Sequence, residues 1–145
     1  MILPDLNILL YAYNSDAPQH AAARRWWERT LQQQATVGLP WVILLGFIRL
    51  MTSRRMFPIP MHVPECLDCV RAWLARPHVQ ILTPGERHGE ILFGFLTHLG
   101  SAGNLTTDAH LAALAVEHHA ELASADIEFA RFPGLRWFNP LSSKK

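Results

Sequence analysis

Charge is scarce in this chain, and lysine scarcer still. Of 145 residues, 12 are Asp or Glu and 13 are Lys or Arg, leaving a formal net charge of +1. Overall charge therefore does not announce a nucleic-acid partner. The lysines are confined to Lys144 and Lys145, and the other eleven basic residues are arginines. That lack removes the reaction classes that need a lysine in the site. Arginine bonds phosphate bidentately and stacks on bases, although a plain compositional bias explains the same count. Cysteine is limited to Cys66 and Cys69. Their C-x-x-C spacing would supply half a zinc site, and His62 and His78 are near in sequence, but no second paired motif completes it. Positions three apart on an amphipathic helix are ordinary core spacing. No apolar run reaches the roughly 18 residues of a membrane span, and no basic region precedes the apolar start. The reading is a cytoplasmic protein with no membrane association.

Half of the residues are hydrophobic. That suits a compact globular chain with a large core, or an oligomer that hides an apolar face. No repeat or linker divides it, so a single domain over 1–140 with a short tail at 141–145 is expected. Strands are predicted at 2–4, 36–39, 79–82, 121–123 and 135–138. Helices are predicted at 8–13, 20–34, 41–51, 64–76, 84–99 with Thr83 as cap, and 107–119 with a threonine cap. The span 53–64 carries three prolines and reads as a loop. Strands alternating with helices argue an α/β domain in three layers, with a short, mostly parallel sheet flanked by helices. Ligands of such sheets bind beyond the carboxyl ends of the strands.

The few acids are therefore informative where they fall in apolar surroundings. Asp5 follows the apolar start Met1–Pro4 and precedes another apolar run. Asp126 and Glu128 follow the predicted strand at 121–123. Asp108 opens a helix. A carboxylate in such a place is costly to desolvate unless it is paired, protonated or bound to metal. Several converging from distant parts of a chain are standard material for a Mg²⁺ or Mn²⁺ site. Singly, each also fits a bland role. Asp5, Asp126 and Glu128 could be helix caps, and Asp108 suits the positive end of a helix dipole. His110, His118 and His119 read as helix-surface or C-terminal dipole residues, and the Trp26–Trp27 pair as core or interface filling.

Three segments in order resemble the PIN domain, in particular the VapC-type toxins of bacterial toxin–antitoxin pairs. Pro4-Asp5-Leu6-Asn7 with its apolar continuation is similar to the family's opening Asp-x-Asn. Thr107-Asp108-Ala109-His110 resembles its third-acid helix. Ser124-Ala125-Asp126-Ile127-Glu128-Phe129 resembles its closing segment, and the likeness covers nearly the whole chain. It implies a metal-dependent endoribonuclease acting on structured RNA, with Mg²⁺ or Mn²⁺ as cofactor. Asp5, Asp108 and Asp126 would be ligands and Glu128 a ligand or a holder of metal-bound water. Asn7 and Ser124 would orient the acids. Arg49, Arg54, Arg55 and Arg131 are the candidates for gripping RNA, because they lie in or beside these segments. A homodimer and a cognate VapB-type antitoxin are the implied partners.

Two positions depart from the pattern. Gly46-Phe47-Ile48-Arg49 stands where the family carries Glu-Phe-x-Arg, so a glycine replaces a carboxylate. Glu128 stands where an aspartate is usual. An alternative follows from Gly46: a weakened PIN-like protein that binds RNA or an antitoxin without efficient cleavage. A phosphohydrolase of the haloacid-dehalogenase or receiver type would also place an Asp after its first strand. Those families use a lysine near the phosphoryl group, and this chain has none before position 144.

Overall fold

The computed structural model describes residues 1–142; the last part of the expected tail, 143–145, lies outside the described residues. Five short strands run parallel: β1 (Ile2–Pro4), β2 (Val37–Pro40), β3 (Val79–Leu82), β4 (Glu121–Ala123) and β5 (Trp137–Phe138). Their spatial order is β3-β2-β1-β4-β5. The chain thus winds outward from β1 to β3, then returns to build β4 and β5 on the other side of β1. Right-handed crossovers place the helices before β3 on one face and those after it on the other. The first set is α1 (Leu6–Tyr13), α2 (His20–Gln32), α3 (Trp41–Met51) and α4 (Val63–Leu74). The second is the antiparallel pair α5 (His88–Leu99) and α6 (Thr106–Glu117). Among the described residues no helix is long and apolar enough to cross a membrane.

Covering both faces makes the central strands continuously apolar rather than alternating. Leu3, Val37, Leu39, Leu122 and Ala123 are fully buried. On the α1–α4 face an aromatic cluster fills the layer. Phe47 packs edge-on against Trp73 with centroids 4.8 Å apart, and Trp27 against Trp73 at 5.5 Å. Trp73 Nε1 donates to the Tyr13 hydroxyl at 3.1 Å, which satisfies a donor that burial would otherwise orphan. Cys66 is buried in the core, Cys69 is half-buried, and the two are not joined by a disulfide. On the other face α6 carries four fully buried alanines, Ala109, Ala112, Ala113 and Ala115. Their small side chains let the helix lie close on the sheet.

Two helix starts differ from the sequence expectation. α5 begins at His88, not at Pro84. Residues 84–87 instead form a turn tied to the end of α6: Glu117 accepts from the Gly85 amide at 2.7 Å and the Arg87 amide at 2.9 Å. α6 begins at Thr106 after a 3-10 turn at Gly103–Leu105, and no threonine side chain caps it. The last strand is shorter than expected, because the chain turns through Gly134 at φ +82° before Trp137.

Candidate active site

Strands β1 and β4 are neighbours in space and lie where the winding direction reverses, so their carboxyl ends form the crevice of the sheet. Asp5 leaves β1 there, and Ser124 to Asp126 leave β4. The Asp5 amide donates to the Ala123 carbonyl at 2.8 Å, continuing the β1–β4 ladder to the very residue that carries the acid. Asp5 then caps α1, its Oδ1 accepting from the Leu6 amide at 2.7 Å. The bland and the functional readings of Asp5 therefore coexist: one carboxylate oxygen serves as a cap, and the residue also stands in the crevice.

Ser124 is the hub of this corner, and it is fully buried. Its hydroxyl donates to Asp5 Oδ2 at 2.7 Å, and accepts from the Asp126 amide at 3.0 Å and from Asn7 Nδ2 at 3.3 Å. Asn7 reaches back with its Oδ1 toward the Ala125 amide at 3.4 Å. The Ser124 carbonyl is held by Trp137 Nε1 at 3.1 Å. One hydroxyl thus links the end of β1, the end of β4 and the first turn of α1. Asp126 next caps a 3-10 turn over Ile127–Arg131, its Oδ1 accepting from the Glu128 amide at 2.9 Å. Glu128 bonds Arg131 at 2.9 Å.

Asp108 comes from the first turn of α6 on the other face of the sheet. Its carboxyl is pushed up to about 6, first by burial and then by the charges of Asp5, Asp126 and Glu128. Asp5 is also raised, by burial above all; its bonds to Ser124 and Leu6 oppose the shift and the charge of Asp126 adds to it. Four acids from three distant segments therefore feel one another as like charges. They converge without closing. Among the described residues no three His, Cys, Asp or Glu side chains are gathered to hold a metal as they stand. The local bonds explain this, since Asp126 is turned to the Glu128 amide and Glu128 to Arg131. The donor chemistry nonetheless suits a hard divalent cation: all four groups offer carboxylate oxygens, and a cation would offset both the burial and the like charges that raise Asp108.

Of the four arginines singled out from sequence, Arg131 alone bonds a member of the acid group. Arg49, Arg54 and Arg55 are exposed and, among the described residues, make no ion pair with these acids. Arg54 instead lines a shallow hollow of the proline-rich loop with Pro58, Ile59 and Pro60. Gly46 is buried in α3 and faces the first turn of α1. A Cβ there would stand 2.6 Å from Leu6 Cδ2, so a leucine next to Asp5 fills the space of the missing side chain. Trp137 is the supporting residue that the sequence did not mark, since nothing local relates it to Ser124, thirteen residues earlier.

Residues 2–135 match the family described as the PIN domain. Ribonuclease VapC33 of Mycobacterium tuberculosis is 45% identical over 141 residues, covering 97% of this chain and 99% of the relative. Ribonuclease VapC37 of the same organism is 44% identical over 140 residues, covering 97% of each. Among solved structures, VapBC2 from Rickettsia felis, bound to a DNA fragment from its promoter, superposes with a TM-score of 0.69 at 20% identity. It covers 96% of this chain and 98% of that one.

Proposed function

Because the chain belongs to the PIN-domain family, in its VapC group, we propose that it is a Mg²⁺- or Mn²⁺-dependent endoribonuclease, the toxin of a toxin–antitoxin pair. The observation that carries the reading is the raised Asp108 carboxyl, held amid three further acids at the crevice of the sheet. Asp5, Asp108 and Asp126 would hold the cation, with Glu128 as a further ligand or as acceptor for a bound water. A divalent cation there supplies charge for the phosphorane and a more acidic water. The protein's own residues do the rest. Ser124 and the Leu6 amide fix both oxygens of Asp5, and Asn7 steadies the Ser124 loop. Arg131, exposed beside Glu128, is placed to meet a phosphate. Structured RNA is the proposed substrate.

A VapB-type antitoxin is the proposed partner, as in the complex from Rickettsia felis. A homodimer is proposed through α3, where Trp41 and Leu45, one helical turn apart, are 49% and 59% exposed. A monomer by light scattering at tens of micromolar would count against that dimer. The activity is tested by incubating the purified protein with bulk transfer RNA in Mg²⁺, in Mn²⁺ and in EDTA. Cleavage in either metal and none in EDTA is expected; equal cleavage in EDTA overturns metal dependence, and no cleavage under any condition overturns the nuclease reading.

A further inference from the structure

At the opposite end of the sheet from the acids, a cavity of about 530 Å³ opens where α6 ends and β5 is about to begin. Arg87, His119 and Arg136 line it together with Val116, Ala120 and Gly134. Three cationic or potentially cationic side chains thus come from three segments distant in sequence. All three residues are exposed. Among the described residues the ion pairs are Arg24–Glu28, Arg71–Asp68 and Arg131–Glu128, so neither Arg87 nor Arg136 is neutralised by a carboxylate. Of the acids at this end, Glu117 accepts from the Gly85 and Arg87 amides, and Glu121 stands opposite Arg136 in the β4–β5 register without an ion pair to it among the described residues.

The backbone adds an independent sign. α6 ends in a paired cap, the His119 amide donating to Val116 O at 3.2 Å and the Ala120 amide to Ala115 O at 2.8 Å. The residue at the turn of this cap takes the left-handed conformation, and glycine is its usual occupant. Here it is His119, the one non-glycine residue with positive φ, at +55°, among those described. Its carbonyl accepts from Arg136 Nη2 at 2.6 Å, which fixes the guanidinium at the cavity wall. A side chain is therefore kept where the backbone favours none, and it stands among two arginines.

We propose that Arg87, His119 and Arg136 form a second phosphate-binding site, which engages the RNA backbone several nucleotides from the acid crevice. The inference rests on the ribonuclease reading and names where that substrate runs. Arg131 beside the acids and Arg136 at the cavity are joined by five residues, at most about 17 Å of chain. That bounds the gap at about five phosphates at the ~3.4 Å axial spacing of one stacked strand. A single RNA strand passing along residues 131–136 thus meets Arg131 first and the second site next. Planar guanidinium groups suit the phosphodiester, and the shallow, exposed setting suits a polymer that continues past it.

Binding of fluorescently labelled bulk transfer RNA, measured by anisotropy across a salt series, tests this. It is run in EDTA for each protein, and in Mg²⁺ for the Asp126→Asn protein, so that cleavage does not intervene. Arg87→Ala, which removes a side chain without an ion pair among the described residues, and Arg136→Ala should each weaken binding several-fold. Each should make the log–log salt dependence shallower by about one phosphate contact. His119→Gly should weaken binding while leaving the melting temperature unchanged or higher, a pairing that a purely structural role would not produce. Unchanged affinity and slope in both Arg87→Ala and His119→Gly overturns the second site while the ribonuclease reading stands. A parallel titration with labelled polyglutamate that is weakened by Arg87→Ala or Arg136→Ala while RNA binding is unchanged also overturns it, since the cavity would then recognise an acidic chain. No RNA binding by the unsubstituted protein at low salt overturns the ribonuclease reading, and this inference with it.

Discussion

The two ends of β4 carry opposite chemistry, and they are built in opposite ways. At its carboxyl end, where the four acids converge, a buried serine hydroxyl makes three hydrogen bonds, to Asp5, Asn7 and the Asp126 amide. At its amino end Arg87, His119 and Arg136 line an open cavity with a single bond among them, from Arg136 to the His119 carbonyl. Like charges were brought together at both ends, so each has a local cost. Burial makes that cost high at the acid end, where it is offset by directed hydrogen bonds. Solvent screens it at the arginine end, where little support is present. The formal net charge of +1 hides this separation entirely. A near-neutral chain can thus carry acids at one end of a strand and arginines at the other.

The largest expected effects lie at the acid end. Asp5→Asn should lower RNA cleavage at least about a hundredfold, since a metal ligand contributes several kcal/mol of transition-state charge stabilisation. Its circular dichroism spectrum should remain that of the folded protein. Undiminished cleavage, with contaminating nuclease excluded, would remove Asp5 from the site.

Ser124→Ala separates support from chemistry. It removes the hydrogen bond that the buried Asp5 carboxylate receives at 2.7 Å, and bonds to charged groups contribute about 1.5–3 kcal/mol. A loss of that size in urea denaturation is expected, with slower cleavage. A change below about 0.5 kcal/mol would show that the hub does not organise the corner.

Gly46→Glu comes next. Its Cβ would meet Leu6 Cδ2 at 2.6 Å, and overpacking of this kind costs about 1–3 kcal/mol. In a Leu6→Ala background the leucine is gone, so the penalty should shrink and Mn²⁺ affinity should rise, because the new carboxylate stands beside Asp5. Unchanged Mn²⁺ affinity in that folded double variant would show that residue 46 does not face the acids.

The smallest effect is a pH dependence of stability. Asp108 is raised from 3.8 to about 6. Between those values the folded protein holds a proton that the unfolded chain has released. Metal-free stability should therefore fall as pH rises through about 6. Asp108 is only partly buried, so solvent limits its share to well under about 1 kcal/mol. Asp108→Asn should flatten the profile of melting temperature against pH; an unaltered profile would mean that the four acids do not share a field.

Much of this molecule was legible before any coordinates. The parallel α/β order followed from strands and helices alternating along the chain, and the aspartates at strand ends marked the crevice. The errors share one cause, which is reliance on neighbours in sequence. Pro84 and Thr83 looked like a helix start, but Glu117, about thirty residues on, takes the amides that would have begun it. The meaning of Gly46 depended on Leu6, forty residues earlier, and no local pattern connects the two. The arginine end has no local signature, since Arg87, His119 and Arg136 stand in three segments distant in sequence.

Central to the account is that the four acids form one site for a divalent cation, although they do not close on one as they stand. Calorimetric titration of Mn²⁺ into the protein and into its Asp126→Asn and Asp108→Asn variants tests this most directly. Saturable binding is expected for the unsubstituted protein, weakened at least about tenfold, or 1.4 kcal/mol, in either variant. Equal Mn²⁺ affinity in all three folded proteins would contradict it.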